Sequence, residues 1–448
     1  MDRWNKFESK IAVSLPAIII FSALSFGSVE VWASAFVEAA VFSLFAAWLI
    51  MKSGPEEFVQ EYEPGRNREE RYILGALSAI LVYVLIQTLP LSPTVLKYIS
   101  PKSFEIYSFY AVDEKPAMYI SLYPHRTFIE FLLFLACSFF FILAFFAMRD
   151  MQRLETVIRI ISVFGFCLAV FAILQKAAWD GKIYWVRETT VGNPFGPFVN
   201  RNHYAGLIGM IIPLTLGYAF TRKRRERQLL FGFFGLIMAV SLFLSLSRGG
   251  IISFLAAMVL LTIYLLWDKF KTNKKLALAA FGGVLCLYLF YVGINPVIDR
   301  FYQTDISREA RFTIWSETFR AFQDFYLTGS GFGTFINVIP LYASRPTLLI
   351  YDHAHNDYLE FILEAGVTGT ILFITFMYFF IRKTIQGRWD GKSGITRVSM
   401  IASITTIIIH SIFDFNLHIP SNALMFALVM GMLAASSYIT HTTQQEIL

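Results

Sequence analysis

The sequence predicts an all-α, polytopic membrane protein of about twelve transmembrane helices, with one long outer loop before the tenth. Three observations carry that prediction. The chain is 56% hydrophobic and only 16% charged, where a soluble domain would carry roughly 25% charged residues. Its apolar residues fall in blocks of about 18 to 24, the length that crosses a bilayer, rather than in narrow core-facing stripes. Dense basic clusters recur in alternate loops between those blocks, the pattern that fixes which loops stay inside.

Taken in order, the apolar blocks place spans at roughly 11–28, 31–51, 72–91, 127–148, 157–175, 204–221, 229–246, 251–267, 276–294, 358–381, 398–415 and 421–439. The first follows Lys10, shows no small-residue cleavage site and leads straight into the second, so it reads as a retained span. The inner loops carry Arg3/Lys6/Lys10, Lys52 with Arg66/Arg68/Arg71, Arg149/Arg153, Arg222-Lys223-Arg224-Arg225, Lys269/Lys271/Lys274/Lys275 and Arg382/Lys383/Arg388/Lys392/Arg397. An even span count then puts both termini on the cytoplasmic side. The net charge of +6 is a topology signal here and does not indicate nucleic acid. Cys137, Cys167 and Cys286 all lie in apolar runs, which argues against a disulfide framework or a cysteine metal site. We treat residues 1–448 as a single integral membrane domain. Residues 295–357 form an outer loop between spans nine and ten, with an amphipathic helix expected where Phe312, Trp315, Phe319 and Phe322 share a face. That face reads as lying on the membrane surface. The following Gly329-Ser330-Gly331-Phe332-Gly333 has neither the lysine nor the preceding strand of a phosphate loop and reads as a flexible turn.

The outer side carries the chemistry. Arg201, Arg248, Arg311 and His355 fall there in four different loops or loop ends, where orientation requires no positive charge. Arginine presents a planar fork that matches phosphate oxygens and cannot lose its charge. A diphosphate carried on a lipid would present at this depth. Carboxylate clusters that would bind diphosphate through a metal are missing, and His353 with His355 is a weak metal signal, so no metal and no cofactor are expected. Asn356 should cap the tenth span with Asp357 in its first turn, leaving His355 at the membrane boundary. A histidine such as His355 can take a proton from a hydroxyl. Asn202, His353, Asn356 and Tyr358 are expected to support that site. Glu360 and Glu364 are read as pairing with an arginine or lining a polar cavity, and Gly366 and Gly369 as letting another helix approach closely. His125, His203, His410, His418 and Asp414 sit near outer span ends and read first as interface residues. Glu38, inside the second span, has no reading from sequence.

His355-Asn356 followed by Gly366 and Gly369 resembles the histidine signature of the bacterial O-antigen ligase and O-antigen polymerase superfamily. Asn200-Arg201-Asn202-His203-Tyr204-Ala205-Gly206, Ser247-Arg248-Gly249-Gly250, and Arg311-Phe312-Thr313-Ile314-Trp315 with Gly331-Phe332-Gly333-Thr334-Phe335 resemble its other recurrent segments. The resemblance covers roughly 190–370. It implies a GT-C-like glycosyltransferase of the bacterial inner membrane that acts on the periplasmic side without a metal. Such an enzyme transfers a glycan from undecaprenyl diphosphate to an acceptor hydroxyl. On this basis His355 is the expected base, and Arg201, Arg248 and Arg311 are expected to hold the diphosphate. The acceptor is lipid A core for a ligase. A growing chain makes the enzyme an O-antigen or exopolysaccharide polymerase, and a protein side chain makes it an O-oligosaccharyltransferase. A polysaccharide transporter would need charge along the whole bilayer path, whereas the distinctive charge here sits on one side.

Overall fold

A computed structural model describes residues 2–53, 68–110, 117–189, 192–267, 282–283, 306–344, 351–387, 389 and 391–439. The chain is helical almost throughout. The long helices are α1 (Asp2–Leu24), α2 (Val31–Lys52) and α3 (Arg68–Ile86), followed by short α4 (Pro93–Ile99) and α5 (Pro101–Tyr110). Then come α6 (Pro124–Ala147), α7 (Met151–Ala177), α8 (Arg201–Thr221), α9 (Arg225–Leu244) and α10 (Arg248–Trp267). After them stand α11 (Ile306–Asp324), α12 (Asp357–Ile385), α13 (Gly391–His410) and α14 (Pro420–Ala435). A two-stranded hairpin, Lys182–Ile183 with Arg187–Glu188, is the only sheet among the described residues.

Among the described residues, ten helices are long and apolar enough to cross a membrane. They match ten of the twelve expected spans. The third expected span corresponds to α3, whose first turn holds Arg68, Glu69, Glu70 and Arg71; it packs along α12. The ninth, 276–294, lies outside the described residues except for 282–283.

α8 is the axis of the bundle. Every residue from His203 to Phe220 is buried, as expected of a helix that is apolar on all faces. It packs against α7, α9, α10 and α13. Small residues set the spacing: a Cβ at Gly217 would stand 2.4 Å from Ser399 Cβ on α13, so any larger residue would drive the two helices apart. Glu38 takes a 2.9 Å hydrogen bond from Ser34 one turn earlier, which gives a carboxylate in an apolar helix a local partner.

The structure corrects three expectations. The helix expected at 398–415 runs from Gly391 to His410, so Arg397 is part of it rather than of an inner loop. Arg397 is fully buried, and its guanidinium donates to Ser436 Oγ at 2.7 Å and to the Thr384 carbonyl. It ties the last turn of α12 to Ser436. The glycine cluster at 329–333 is a fixed turn. Ser330 N donates to Leu363 O at 3.0 Å and Gly331 N to Glu364 O at 3.2 Å, so these two amides are spent on α12. Gly366, finally, is approached by loop backbone and not by a helix. It sits at φ +62° where α12 kinks, and a Cβ there would lie 2.4 Å from Gly329 N. The amides freed by the kink, Val367 N and Thr368 N, are taken up by Tyr326 O and Leu327 O, the condition under which a break inside the membrane is tolerated. Gly369 behaves as expected and admits Tyr83 of α3.

The amphipathic helix is α11. Phe312 and Phe319 are exposed, while Ile314, Thr318, Ala321 and Phe325 form its buried stripe. Its aromatic face is therefore split. Trp315 turns inward and donates its indole N–H to Ala354 O at 3.0 Å, and Phe322 packs beside the buried stripe.

Candidate active site

Four helix N-termini meet at one end of the bundle. Asn200 caps α8, its side chain accepting from Asn202 N at 2.9 Å, and Arg201 is the first residue of that helix. Arg248 opens α10. The two starts are tied together where Ser247 Oγ donates to Asn202 Oδ1 at 2.8 Å. Asn356 caps α12 as expected, its side chain accepting from Tyr358 N at 3.0 Å and Leu359 N at 3.1 Å. Next to the start of α14, Asn422 Nδ2 donates to His203 O at 3.0 Å. The C-terminus of α13 enters the same place: Gly249 lies directly against the His410 ring, and Arg311 on α11 is within electrostatic reach of His410.

His355 stands where these ends converge. Its backbone is left-handed, φ +49°, a conformation costing on the order of 1–3 kcal/mol for a non-glycine residue and held only by surrounding structure. Its Nδ1 is 2.9 Å from Asp414 Oδ1, which leaves Nε2 as the nitrogen directed elsewhere. Asp414 is fully buried and its Oδ1 also accepts from Phe415 N at 3.0 Å. Burial pushes the Asp414 carboxyl up, but the hydrogen bond from His355 and the nearby His203, His355 and His410 rings hold it well below the usual carboxylate range. It remains an anion beside the histidine. Phe415 is the spacer of the cluster. Its ring stacks on His353 at 4.1 Å and meets His203 at 4.8 Å and His355 at 5.0 Å edge to face.

A second polar group lies behind the first. Glu360 Oε1 is 2.7 Å from His353 Nδ1, and Oε2 accepts from Ala354 N at 2.9 Å. Asp357 Oδ1 is 2.9 Å from His418 Nδ1. Burial lowers His418, yet Glu360, Asp357 and Glu364 together push it up to about 10. Glu364 accepts from Phe335 N at 2.9 Å. Among the described residues the partners of these glutamates are the histidines and the backbone at Phe335.

The sequence-selected residues thus share one end of the bundle: Arg201, Asn202, Arg248, Arg311, His353, His355 and Asn356. Tyr358 faces outward and donates its hydroxyl to Ile408 O at 2.7 Å, so it ties α12 to α13. Asp414, Phe415 and His418 were under-weighted, because the turn that carries them reads as the end of a span. His203 and His410 belong to the same cluster, while His125 contacts Tyr123 instead. The one available signal was the density of polar residues in Asp414–His418 between two apolar runs.

An all-helical, multi-spanning membrane protein with a buried carboxylate–histidine pair at one bundle end is the class that fold and site define. Residues 233–374 match the model of the family described as O-antigen ligase. That stretch is about a third of the chain and contains Arg248, Arg311 and His355. Over that stretch the chain is similar to that family. No curated protein matches the chain.

Proposed function

We propose that this protein transfers a glycan from undecaprenyl diphosphate to an acceptor hydroxyl on the periplasmic side of the inner membrane, as an O-antigen ligase does. The observation that carries the reading is the His355–Asp414 pair, set 2.9 Å apart where the helices that begin with Arg201 and Arg248 meet. His355 Nε2 takes the proton of the attacking hydroxyl. Asp414 fixes the ring through Nδ1 and stabilises the imidazolium that forms. General-base assistance of this kind is worth about 100- to 10,000-fold.

The anomeric carbon–oxygen bond breaks as the acceptor oxygen attacks, and negative charge grows on the departing diphosphate. Arg201, Arg248 and Arg311 hold that charge. The N-termini of α8, α10, α12 and α14 point the positive ends of their dipoles the same way, which favours an anion at this spot. Prearranged charge of this sort is commonly the larger part of catalysis. The topology agrees with it: α8 begins at Arg201 and ends beside the Arg222–Arg225 cluster, and α12 begins at Asp357 and ends with Arg382 and Lys383. Basic, inward-facing ends therefore lie opposite the site.

The test is reconstitution. Purified protein is incubated with a polyprenyl-diphosphate-linked repeat unit, with and without lipid A core. One shifted core band supports ligation, a ladder without core makes the enzyme a polymerase, and no transfer under either condition overturns the reading. His355→Ala is expected to abolish transfer while the protein still inserts and elutes as the wild type does.

A further inference from the structure

We propose that His353, Glu360 and His418 form a site for one divalent transition-metal ion of zinc-like character, clasping the segment that carries His355 to the turn that carries Asp414. The three donors come from three segments: the end of the outer loop, the first turn of α12, and the turn before α14. One ligand atom from each lies within 4.8 Å of the other two. Glu360 Oε1 is 2.7 Å from His353 Nδ1 and 3.4 Å from His418 Nε2. Donors around a tetrahedral zinc with bonds of about 2.0–2.2 Å stand roughly 3.3 Å apart, so small adjustments close the trio on an ion. Two imidazoles with one carboxylate is a donor set that suits zinc and its neighbours.

Two further features point the same way. Asp357 sits behind His418 on Nδ1 at 2.9 Å, the outer carboxylate that orients a metal-bound imidazole and aims its other nitrogen at the ion. Glu360 Oε2 is held by Ala354 N at 2.9 Å, so Oε1 is the oxygen presented. The His353 and His418 side chains keep 21% and 24% of their surface exposed, which gives an ion access from the loop side. His355 and the arginines are not ligands, so the clasp organises the site and does not touch the reacting groups.

Full-length protein in detergent at neutral pH, stripped with chelator and re-equilibrated with Zn2+, is expected to retain about one zinc per chain and to unfold at higher temperature with it than without. Co2+ in its place should give the intense visible absorption of a four-coordinate site. Glu360→Gln and His353→Ala are each expected to lose the bound zinc, Asp357→Asn to weaken it about 10- to 100-fold, and His355→Ala to keep it. Should Glu360→Gln fail to fold, His353→Ala at a partly exposed position carries the comparison. Zinc retention no greater than in His353→Ala, or a Co2+ spectrum of the free aqueous ion, overturns the site and leaves the trio holding protons only. No transfer is assayed, so this outcome is independent of the glycan-transfer reading.

Discussion

A histidine works as a base at neutral pH only if one ring nitrogen is kept free and the other is held. At His355 the holding group is Asp414, and three predictions follow from the residues concerned. Asp414→Asn is expected to lower transfer by about 100- to 10,000-fold, because an amide can fix the ring in the wrong tautomer and cannot stabilise its charged form; kcat of the purified variant measures it. The second prediction concerns pH. The folded-state pKa of Asp414 is depressed, so its contribution to stability is complete above the unfolded value near about 4 and is lost as pH falls through the folded value. The melting-temperature gap between wild type and Asp414→Asn should therefore begin to close as pH falls below about 4. A gap that widens below about pH 4 contradicts an ionised, histidine-bound Asp414. The third is Arg248→Lys, which keeps the charge but loses the bidentate fork. It should fail in transfer far more than in folding, and full activity in that variant makes the residue structural.

The α12 kink shows what one glycine does for an element. Gly366 turns the helix with a backbone that other residues adopt only under strain, and the space for a side chain is filled by Gly329 and Leu327. Tyr83 and Gln87 hold the same junction: the Tyr83 hydroxyl reaches Thr328 O and Ala365 O at 2.7 and 2.8 Å, and Gln87 Nε2 reaches Thr328 O and Glu364 O at 2.9 and 3.0 Å. Gly366→Ala is expected to destabilise by about 1–3 kcal/mol from backbone strain alone, and more from the clash. Tyr83→Phe should cost about 1 kcal/mol for the lost hydroxyl. Thermal unfolding in detergent checks both, and a neutral Gly366→Ala would mean that the 326–329 segment can move away. The kink positions the first three turns of α12, and with them Asn356, Glu360 and Glu364, so Gly366→Ala should also depress transfer.

For the molecule as a whole, the arrangement requires the site and the basic loops to lie on opposite faces of the membrane. With the native cysteines replaced, Asp180→Cys and Glu226→Cys are expected to react with an impermeant thiol reagent from opposite sides of intact cells and inverted vesicles. Labelling from the same side would remove the topology on which the transfer reading stands. The spans were legible because burial in lipid writes itself into composition: a helix of about 20 apolar residues needs no partner to be recognised. His355, Arg201, Arg248 and Arg311 stand out in the sequence as candidates because orientation does not account for a charge at those positions. Asp414 and His418 were not, because a polar residue at a span end is ordinarily satisfied by the interface. Glu360 was visible as a charge inside a span, but its pairing with His353, seven residues before it, and with His418, on the turn before α14, was not.

The chain's own letters determined that it is a helical membrane protein, and marked Arg201, Arg248, Arg311 and His355 as candidates, since both follow from transfer free energy and local charge alone. Which carboxylate serves which histidine was decided only by folding. Asp414 meets His355, and Glu360 meets His353 and His418, because α8, α10, α12, α13 and α14 pack so that their ends come together. Contacts as distant in sequence as His355–Asp414 and Glu360–His418 depend on helix packing, which no short stretch of the chain encodes.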